Sequence, residues 1–495
     1  MRILLYGKRY TTSTIFIHVL RHLFIHNREQ IGDCQFHLLL DDRRDKDLAA
    51  SLLPQGQVTL HAQYEEMDPT HSGTTLPTSL IREWEERYGS PHLRAYIIAE
   101  RILAGRSDQE RWRYLLNHID YLEKLCRRIQ PDLFVSGPAA ALPSWVAIRV
   151  LQGNDIPCLI LSSGRFGDRV FLPHDPYERL GVESIYLQKR QSGLSAGEKA
   201  TVEELLTQYR LKNVRSPDFL TVRKTTRMRL LPRPSRLWRT LWESHRTDHR
   251  YYDEPFSSIL GRAIRARRSY FYQAALRSHW LSRISEYPKF FFFPLQFEPE
   301  MSLSTLGRGW TDQLELIRLV SESLPIDRWL YVKEHPMMCP GVRPWRFYRE
   351  LLRLPRVRLL DQRLDSYAVI PHVEGIVTLG STAGWEALMF RKPVLLIGHA
   401  FYEEFREGVA LLNRVEDIPS ILRKMRNWTI SEDALMAFIA AVLTKAPKGI
   451  LLEPRYFPDR AGEVLSSENL RCLGDILLDR IKQAREIHQT QFATH

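Results

Sequence analysis

Two stretches decide how this chain folds: Leu330-Tyr331-Val332-Lys333-Glu334-His335-Pro336 and, further on, Thr378-Leu379-Gly380-Ser381-Thr382-Ala383-Gly384-Trp385-Glu386. Each runs an apolar strand straight into groups able to hold a phosphate, which is where an open α/β sheet binds nucleotides. Working outward, Phe290 to Pro294 predicts a short buried strand leading into the polar loop Gln296-Phe297-Glu298-Pro299-Glu300. Asp312 with Glu315 three residues on predicts a capping box and a helix to about Leu324. Strands follow at Trp329 to Val332, Val357 to Leu360, Gly375 to Leu379 and Pro393 to Ile397, with helices at Trp345 to Leu354 and Ala383 to Phe390 between them. Such alternation predicts a doubly wound parallel sheet.

The N-terminal part repeats the pattern. Arg2 to Tyr6 reads as a strand, Ser13 to His26 as a helix with Ile15, Phe16, Val19, Leu20, Leu23 and Phe24 on one side, and Phe36 to Leu40 as a second strand. Asp132 to Ser136, Trp145 to Leu151 and Cys158 to Leu161 give another strand-helix-strand cycle. Between Pro173 and Tyr287 the chain is polar, basic and helical in places, broken by Pro232 and Pro234, and nothing in it reads as a sheet.

With 495 residues, 44% hydrophobic and 11% aromatic, the chain suffices for two α/β cores. The apolar run at Ile3 to Tyr6 is too short for a signal-peptide core, and Ala434 to Leu443 is too short to span a bilayer. Cys34, Cys126, Cys158, Cys339 and Cys472 are odd in number, scattered and without a CxxC, so neither a disulfide framework nor a zinc site is expected. The expected location is cytoplasmic.

Net charge is +12, and it is concentrated: Arg210 to Arg250 holds twelve Lys/Arg against Asp218, Glu243 and Asp248. Leu230, Leu231, Leu237, Trp238, Leu241 and Trp242 interleave with these cations. Cations with apolar anchors suit an anionic membrane surface or an anionic polymer, while a solvated helical face or interdomain loop has the same composition. No helix-turn-helix, RNA-recognition or zinc-finger pattern accompanies the patch, so nucleic acid is not expected.

At Gly380-Ser381-Thr382-Ala383-Gly384 the chain leaves a strand through small residues and enters a helix, whose free N–H groups and positive dipole end favour an anion. Ser381 and Thr382 add hydroxyls, the glycines permit close approach, and Glu386 is placed to accept from a ribose or sugar hydroxyl. The plainer reading makes Ser381 a helix cap and Glu386 a first-turn acid. His335 follows its own strand and can donate to a phosphate oxygen, with Lys333 adding a cation. Gln296 and Glu298, at the end of a third strand, are expected to contact donor or acceptor.

Phe290 to Gln296 with Glu298, Leu330 to Pro336, Thr378 to Leu388, Lys392-Pro393-Val394, and Gly398 with Phe401-Tyr402 together resemble the capsule polysaccharide biosynthesis family, which includes capsular β-Kdo transferases. The likeness is dense from Phe290 to Tyr402 and loose over the first domain. It implies a GT-B-like retaining glycosyltransferase, two Rossmann-like domains facing a cleft, with a CMP-activated acidic sugar such as Kdo as donor and a glycan or glycolipid as acceptor. It also implies His335, Ser381 and Thr382 as phosphate ligands. The expected domains are 1–173 (acceptor side), a basic helical insertion at 174–287, a nucleotide-sugar domain at 288–445 and a helical tail at 446–495 that could cross back to the first domain.

The family's acidic-Asp-Gly motif is missing. The corresponding strand end reads Leu161-Ser162-Ser163-Gly164-Arg165-Phe166-Gly167-Asp168-Arg169, so Asp168 or Glu298 is left to supply the catalytic carboxylate, unless this branch uses another donor or has lost catalysis. Taken alone, Asp168 reads as a solvated turn residue beside Arg169. The reaction implied is displacement at the anomeric carbon, with His335, Lys333 and the Ser381 helix end stabilising the departing phosphate. No metal and no cofactor beyond the nucleotide-sugar donor is expected; Asp41-Asp42, beside Arg43 and Arg44, reads as a surface ion cluster. A sugar-nucleotide epimerase or hydrolase, and a non-catalytic assembly or export partner, remain as alternatives, and the basic segment suggests peripheral contact with the inner membrane.

Overall fold

In this computed structural model residues 1–8, 12–67, 78–88, 93–100, 106–139, 141–165, 168–211, 289–298, 306–310, 312–335, 343–362, 364–455 and 457–493 are described, with short pieces between 268 and 281 and at 103, 303 and 338. They form two compact units. The first holds residues 1–180 and 445–493, the second residues 181–211 and 268–444.

In the first unit, β1 (Arg2–Gly7), β2 (Gln35–Leu40), β3 (Val58–Ala62), β4 (Leu133–Ser136) and β5 (Cys158–Ile160) form a parallel sheet ordered β3-β2-β1-β4-β5. Leu4, Leu5, Leu38 and Leu39 are buried in near-continuous apolar runs, as a sheet covered on both faces requires. The Ser13–His26 helix crosses from β1 to β2, and the Asp108–Ile129 helix opens with a full Ser107–Glu110 capping box. A short antiparallel hairpin, β6 (Ser162–Ser163) and β7 (Val170–Phe171), follows β5.

The tail belongs to this first unit. Leu470, Leu473, Leu477 and Ile481 of the Ser467–Ala493 helix enter one core with Leu20 and Leu23 of the Ser13–His26 helix. Glu453 accepts from the Thr14 hydroxyl at 2.6 Å, and Arg455 bonds Asp45 and the Thr14 hydroxyl.

The second unit is built on a seven-stranded parallel sheet of β8 (Trp280–Leu281), β9 (Phe290–Pro294), β10 (Trp329–Lys333), β11 (Val357–Leu360), β12 (Gly375–Thr378), β13 (Val394–Leu396) and β14 (Val409–Leu411), ordered β14-β13-β12-β9-β10-β11-β8. The Glu432–Thr444 helix is apolar all round and correspondingly buried.

Four expectations need correction. The stretch 174–287 does contribute a strand: β8 pairs with β11, and its two residues are too few to show any periodicity. The first unit extends past Pro173 to Leu180. The helices Glu183–Ser192 and Ala196–Arg210, inside the expected insertion, belong to the second unit, where Tyr186 meets Phe438 edge-on at 5.7 Å and Trp385 donates to the Tyr209 hydroxyl at 3.2 Å. Asp312 caps the Gln313–Glu322 helix by accepting from the Leu314 and Glu315 N–H groups, but Glu315 turns to Arg318, so the capping box is one-sided.

Candidate functional site

Strand order locates the site in the second unit. From β9 the chain adds β10 and β11 on one side and β12, β13 and β14 on the other, so the order reverses between β9 and β12. Outside the carboxyl ends of strands at such a reversal lies the binding crevice of an open α/β sheet. Gln296 follows β9, His335 follows β10 and Ser381 follows β12, so three of the residues singled out in the sequence occupy neighbouring strand ends.

The Ser381 turn is organised from beneath by Thr378, fully buried. Its hydroxyl oxygen accepts from the N–H groups of Gly380 at 3.2 Å and Ser381 at 3.0 Å, and donates to the Ser381 hydroxyl at 3.1 Å. The Gln296 amide, oriented with its oxygen toward the turn, accepts from the same two N–H groups at 3.2 and 3.1 Å. Ser381 occupies the N-cap position of the Thr382–Met389 helix, yet its side chain makes no capping bond. The simple helix-cap reading of Ser381 therefore fails; Gly384 gives its N–H to the Ser381 carbonyl at 3.1 Å, which leaves the Thr382 and Ala383 amides of the first turn for another acceptor.

The glycines of the turn also meet close packing. A Cβ on Gly380, at φ 141°, would lie 2.5 Å from the His399 carbonyl, and one on Gly384 would lie 2.3 Å from the Tyr402 hydroxyl. Both glycines let the loop after β13 sit close against the turn.

At the end of β10, His335 is part-exposed, 6.0 Å edge-on from the Phe297 ring, with its backbone N–H bonded to Glu334 at 2.8 Å. Lys333 is only 5% exposed. Burial pulls its ammonium below the usual lysine range, against the opposing pull of Asp365, Glu386, Glu334 and Asp361. Its charge thus lies beneath the strand edge among carboxylates. Glu386, one turn into the helix, is half-buried and contributes to that field.

Glu298, expected as a candidate catalytic acid, is part-buried, its side chain 27% exposed. It accepts from Arg343 and from the Gln313 amide, while Arg343 also bonds Glu334 at 3.0 Å and the Gln296 carbonyl at 2.5 Å. Tyr348 adds a 2.7 Å bond to Glu334. Burial raises the Glu298 carboxyl above its usual range, opposed by Arg343 and Gln313. Sequence reading missed Arg343, whose only local signal is a cation in a Pro- and Gly-bounded loop, Pro340-Gly341-Val342-Arg343-Pro344.

In the first unit, Asp168 lies on the connection between β6 and β7. Its side chain is 65% exposed and pairs at 3.2 Å with Arg460, rather than with the neighbouring Arg169. The strand-end serine that stands where an acid was sought, Ser162, donates to Glu178 at 3.2 Å, and Arg165 meets both Glu178 oxygens at 3.1 Å. Glu178 has φ 63° and went unremarked in the sequence because its partner lies sixteen residues away.

Of the basic segment, Arg210 is described: it bonds the Met389 carbonyl at 3.0 Å and Glu432 at 2.9 Å. Residues 212–250 lie outside the described residues. Among the described residues no cluster of three or more His, Cys, Asp or Glu is placed to hold a metal, and no helix is long and apolar enough to cross a membrane.

Residues 239–418, spanning β8 to β14 and the strand ends of the second unit, match the family model for capsule polysaccharide biosynthesis proteins. The likeness to capsule polysaccharide biosynthesis proteins is carried by this part of the chain. A curated relative, the capsule polysaccharide export protein KpsS of Escherichia coli, is 33% identical over 96 residues, which is 18% of this chain and 24% of that protein. The chain thus matches about a quarter of that relative's length. Among solved structures, the β-Kdo 2,7 transferase KpsC of Thermosulfurimonas dismutans covers 70% of this chain and 92% of its own at 15% identity and a TM-score of 0.35. The UDP-GlcNAc 2-epimerase of Methanocaldococcus jannaschii, in complex with UDP-GlcNAc and UDP, covers 90% and 99% at 10% identity and a TM-score of 0.30.

Proposed function

We propose that this protein is a glycosyltransferase of capsule or related surface-polysaccharide assembly, moving an acidic sugar such as Kdo from a CMP donor to a glycan or glycolipid acceptor. The observation that carries the reading is the Ser381 turn, where a helix begins at the sheet's reversal point with its N-cap hydroxyl turned away from the helix amides.

In this reading the donor phosphate sits at the start of the Thr382–Met389 helix, held by backbone N–H groups and the Ser381 and Thr382 hydroxyls. His335 reaches it from the β10 end, and Glu386 takes a donor hydroxyl. Gln296 keeps the Gly380–Ser381 backbone in register, and Lys333 contributes charge from below the edge. The acceptor hydroxyl attacks the anomeric carbon as the sugar–phosphate bond breaks, the phosphate leaves with the bonding pair, and Asp168 accepts the acceptor's proton. Fixed donors carry the charge stabilisation, so the scheme calls for no metal. Catalysis takes place at the cytoplasmic face of the inner membrane, with the Arg210 to Arg250 segment as the contact.

A thermal-shift panel of CMP, CDP, UDP, GDP and phosphate against wild type and His335→Ala tests this, because a ligand bound to the native state raises its stability by mass action. CMP stabilisation lost in the variant is the expected result. A preference for UDP with no transfer favours a sugar-nucleotide epimerase or hydrolase, and no shift with any nucleotide favours a non-catalytic assembly or export partner.

A further inference from the structure

The loop after β13 is bound to the Ser381 turn as one body. A Cβ on Gly398 would lie 2.2 Å from both the Leu306 and Leu379 carbonyls, so the chain there is wedged between the strand end of β12 and the 306–307 loop. The next residue, His399, donates its backbone N–H to Leu306 at 2.6 Å and rests its own carbonyl against Gly380. Three residues on, the Tyr402 hydroxyl donates to the Ser381 carbonyl at 2.7 Å.

On this rigid mount His399 carries a fixed ring. Its Nδ1 lies 2.9 Å from Glu403 Oε2, and Glu403, 5% exposed, also accepts from the Ala400 N–H at 3.3 Å. A carboxylate on Nδ1 sets both the orientation of an imidazole and the nitrogen through which it meets a ligand, here Nε2. The His399 side chain retains 18% exposure, enough to be reached at one edge. An oriented, reachable imidazole next to a turn read as a phosphate site has an evident use: it donates a charge-assisted hydrogen bond to the anion while Glu403 holds the ring.

We propose that His399 is a ligand of the nucleotide phosphate bound at the Ser381 turn, with Glu403 as its positioning residue. The proposal rests on the reading of that turn as a phosphate site and extends it to a second histidine, on the opposite side of β12 from His335.

The test is calorimetric titration of CMP and UDP, each beside its nucleoside, cytidine or uridine, into wild type, Ser381→Ala, His399→Gln, His399→Ala, Glu403→Gln and Glu403→Asp. A lost hydrogen bond to a charged group corresponds to roughly a tenfold weakening. The expected result is about that loss of nucleotide affinity in both His399 variants, a smaller loss in Glu403→Gln partly restored in Glu403→Asp, and nucleoside binding unchanged throughout. A merely structural role would weaken nucleoside and nucleotide together, or leave both alone, and either pattern overturns the proposal. If Ser381→Ala weakens the nucleotide while the His399 variants do not, the phosphate site stands and His399 is not part of it. Wild type binding neither nucleotide would overturn both readings. Melting temperatures of the unliganded variants, compared with wild type, confirm that folded protein is titrated.

Discussion

Tyr402 reaches over the Thr382–Met389 helix to give its hydroxyl to the Ser381 carbonyl at 2.7 Å, and Gly384 is what lets it pass. The contact fixes the turn from above as Thr378 fixes it from below.

A double-mutant cycle measures that relationship. Gly384→Ala places a Cβ 2.3 Å from the Tyr402 hydroxyl and 2.8 Å from the ring, so the ring must move. The expected cost is about 1–3 kcal/mol, as for other overpacked sites. Tyr402→Phe forfeits one hydrogen bond, about 1 kcal/mol. Phenylalanine also removes the colliding atom, so the double variant is expected to be less destabilised than the sum of the two single changes in urea unfolding. Strict additivity would show that the close approach is not the reason for Gly384.

Arg343 is the keystone of the β9 and β10 strand ends, because its loss leaves the buried Glu334 and the part-buried Glu298 without their cation. Breaking such a pair from one side costs about 3–5 kcal/mol, much of it the penalty on the abandoned charges. Arg343→Met is therefore expected to destabilise strongly, and Arg343→Met with Glu298→Gln and Glu334→Gln to recover part of the loss. Circular-dichroism unfolding of the two variants side by side decides it; equal stability would mean that the carboxylates find other partners.

These residues also mark the limit of what sequence reading reaches. Strands such as Phe290–Pro294 and Trp329–Lys333 were legible because a parallel sheet buried on both faces needs unbroken apolar runs, and the Ser381 turn because glycine and hydroxyl residues punctuate a strand-to-helix junction. The two-residue β8 and three-residue β14 are too short to carry a period. The stripe of Leu470, Leu473, Leu477 and Ile481 announces that the last helix packs, but not that its partner is the first. Arg343 and Glu178 act through partners brought to them by folding, and a single sequence read by itself gives no sign of such pairings.

His118 predicts the acid response of the first unit. Wholly buried, with Nδ1 on the Tyr114 carbonyl at 2.7 Å and Nε2 without a hydrogen-bond partner, it is driven down to about 4, by burial first and by Lys8 as well, against the Tyr114 bond. An unfolded histidine takes up its proton near pH 6.5. Between those values the unfolded chain binds more protons than the native one, so stability falls as pH drops from about 6.5 to about 4 and is fully present above. His118→Leu removes both the titration and the unpartnered nitrogen. Its melting temperature relative to wild type is expected to rise steadily as the solution is acidified through that window, and a constant difference would refute the assignment.

Asp168 gives the sharpest separation of catalysis from folding. Its carboxylate is mostly exposed and its pair with Arg460 is at the surface, so Asp168→Asn is expected to cost no more than about 1 kcal/mol of stability. If it is the base that accepts the acceptor's proton, the same change lowers the transfer rate by about 10²- to 10⁴-fold and leaves donor affinity unaltered. Glu178→Gln should do the reverse. It loosens the Ser162 and Arg165 clamp, destabilises the hairpin region, and reduces transfer only as far as folded protein is lost. Single-turnover transfer rates, normalised to folded protein, separate the two. A rate that survives Asp168→Asn and collapses in folded Glu178→Gln would move the base to Glu178, the carboxylate that bonds Ser162 at the strand end where an acid was sought.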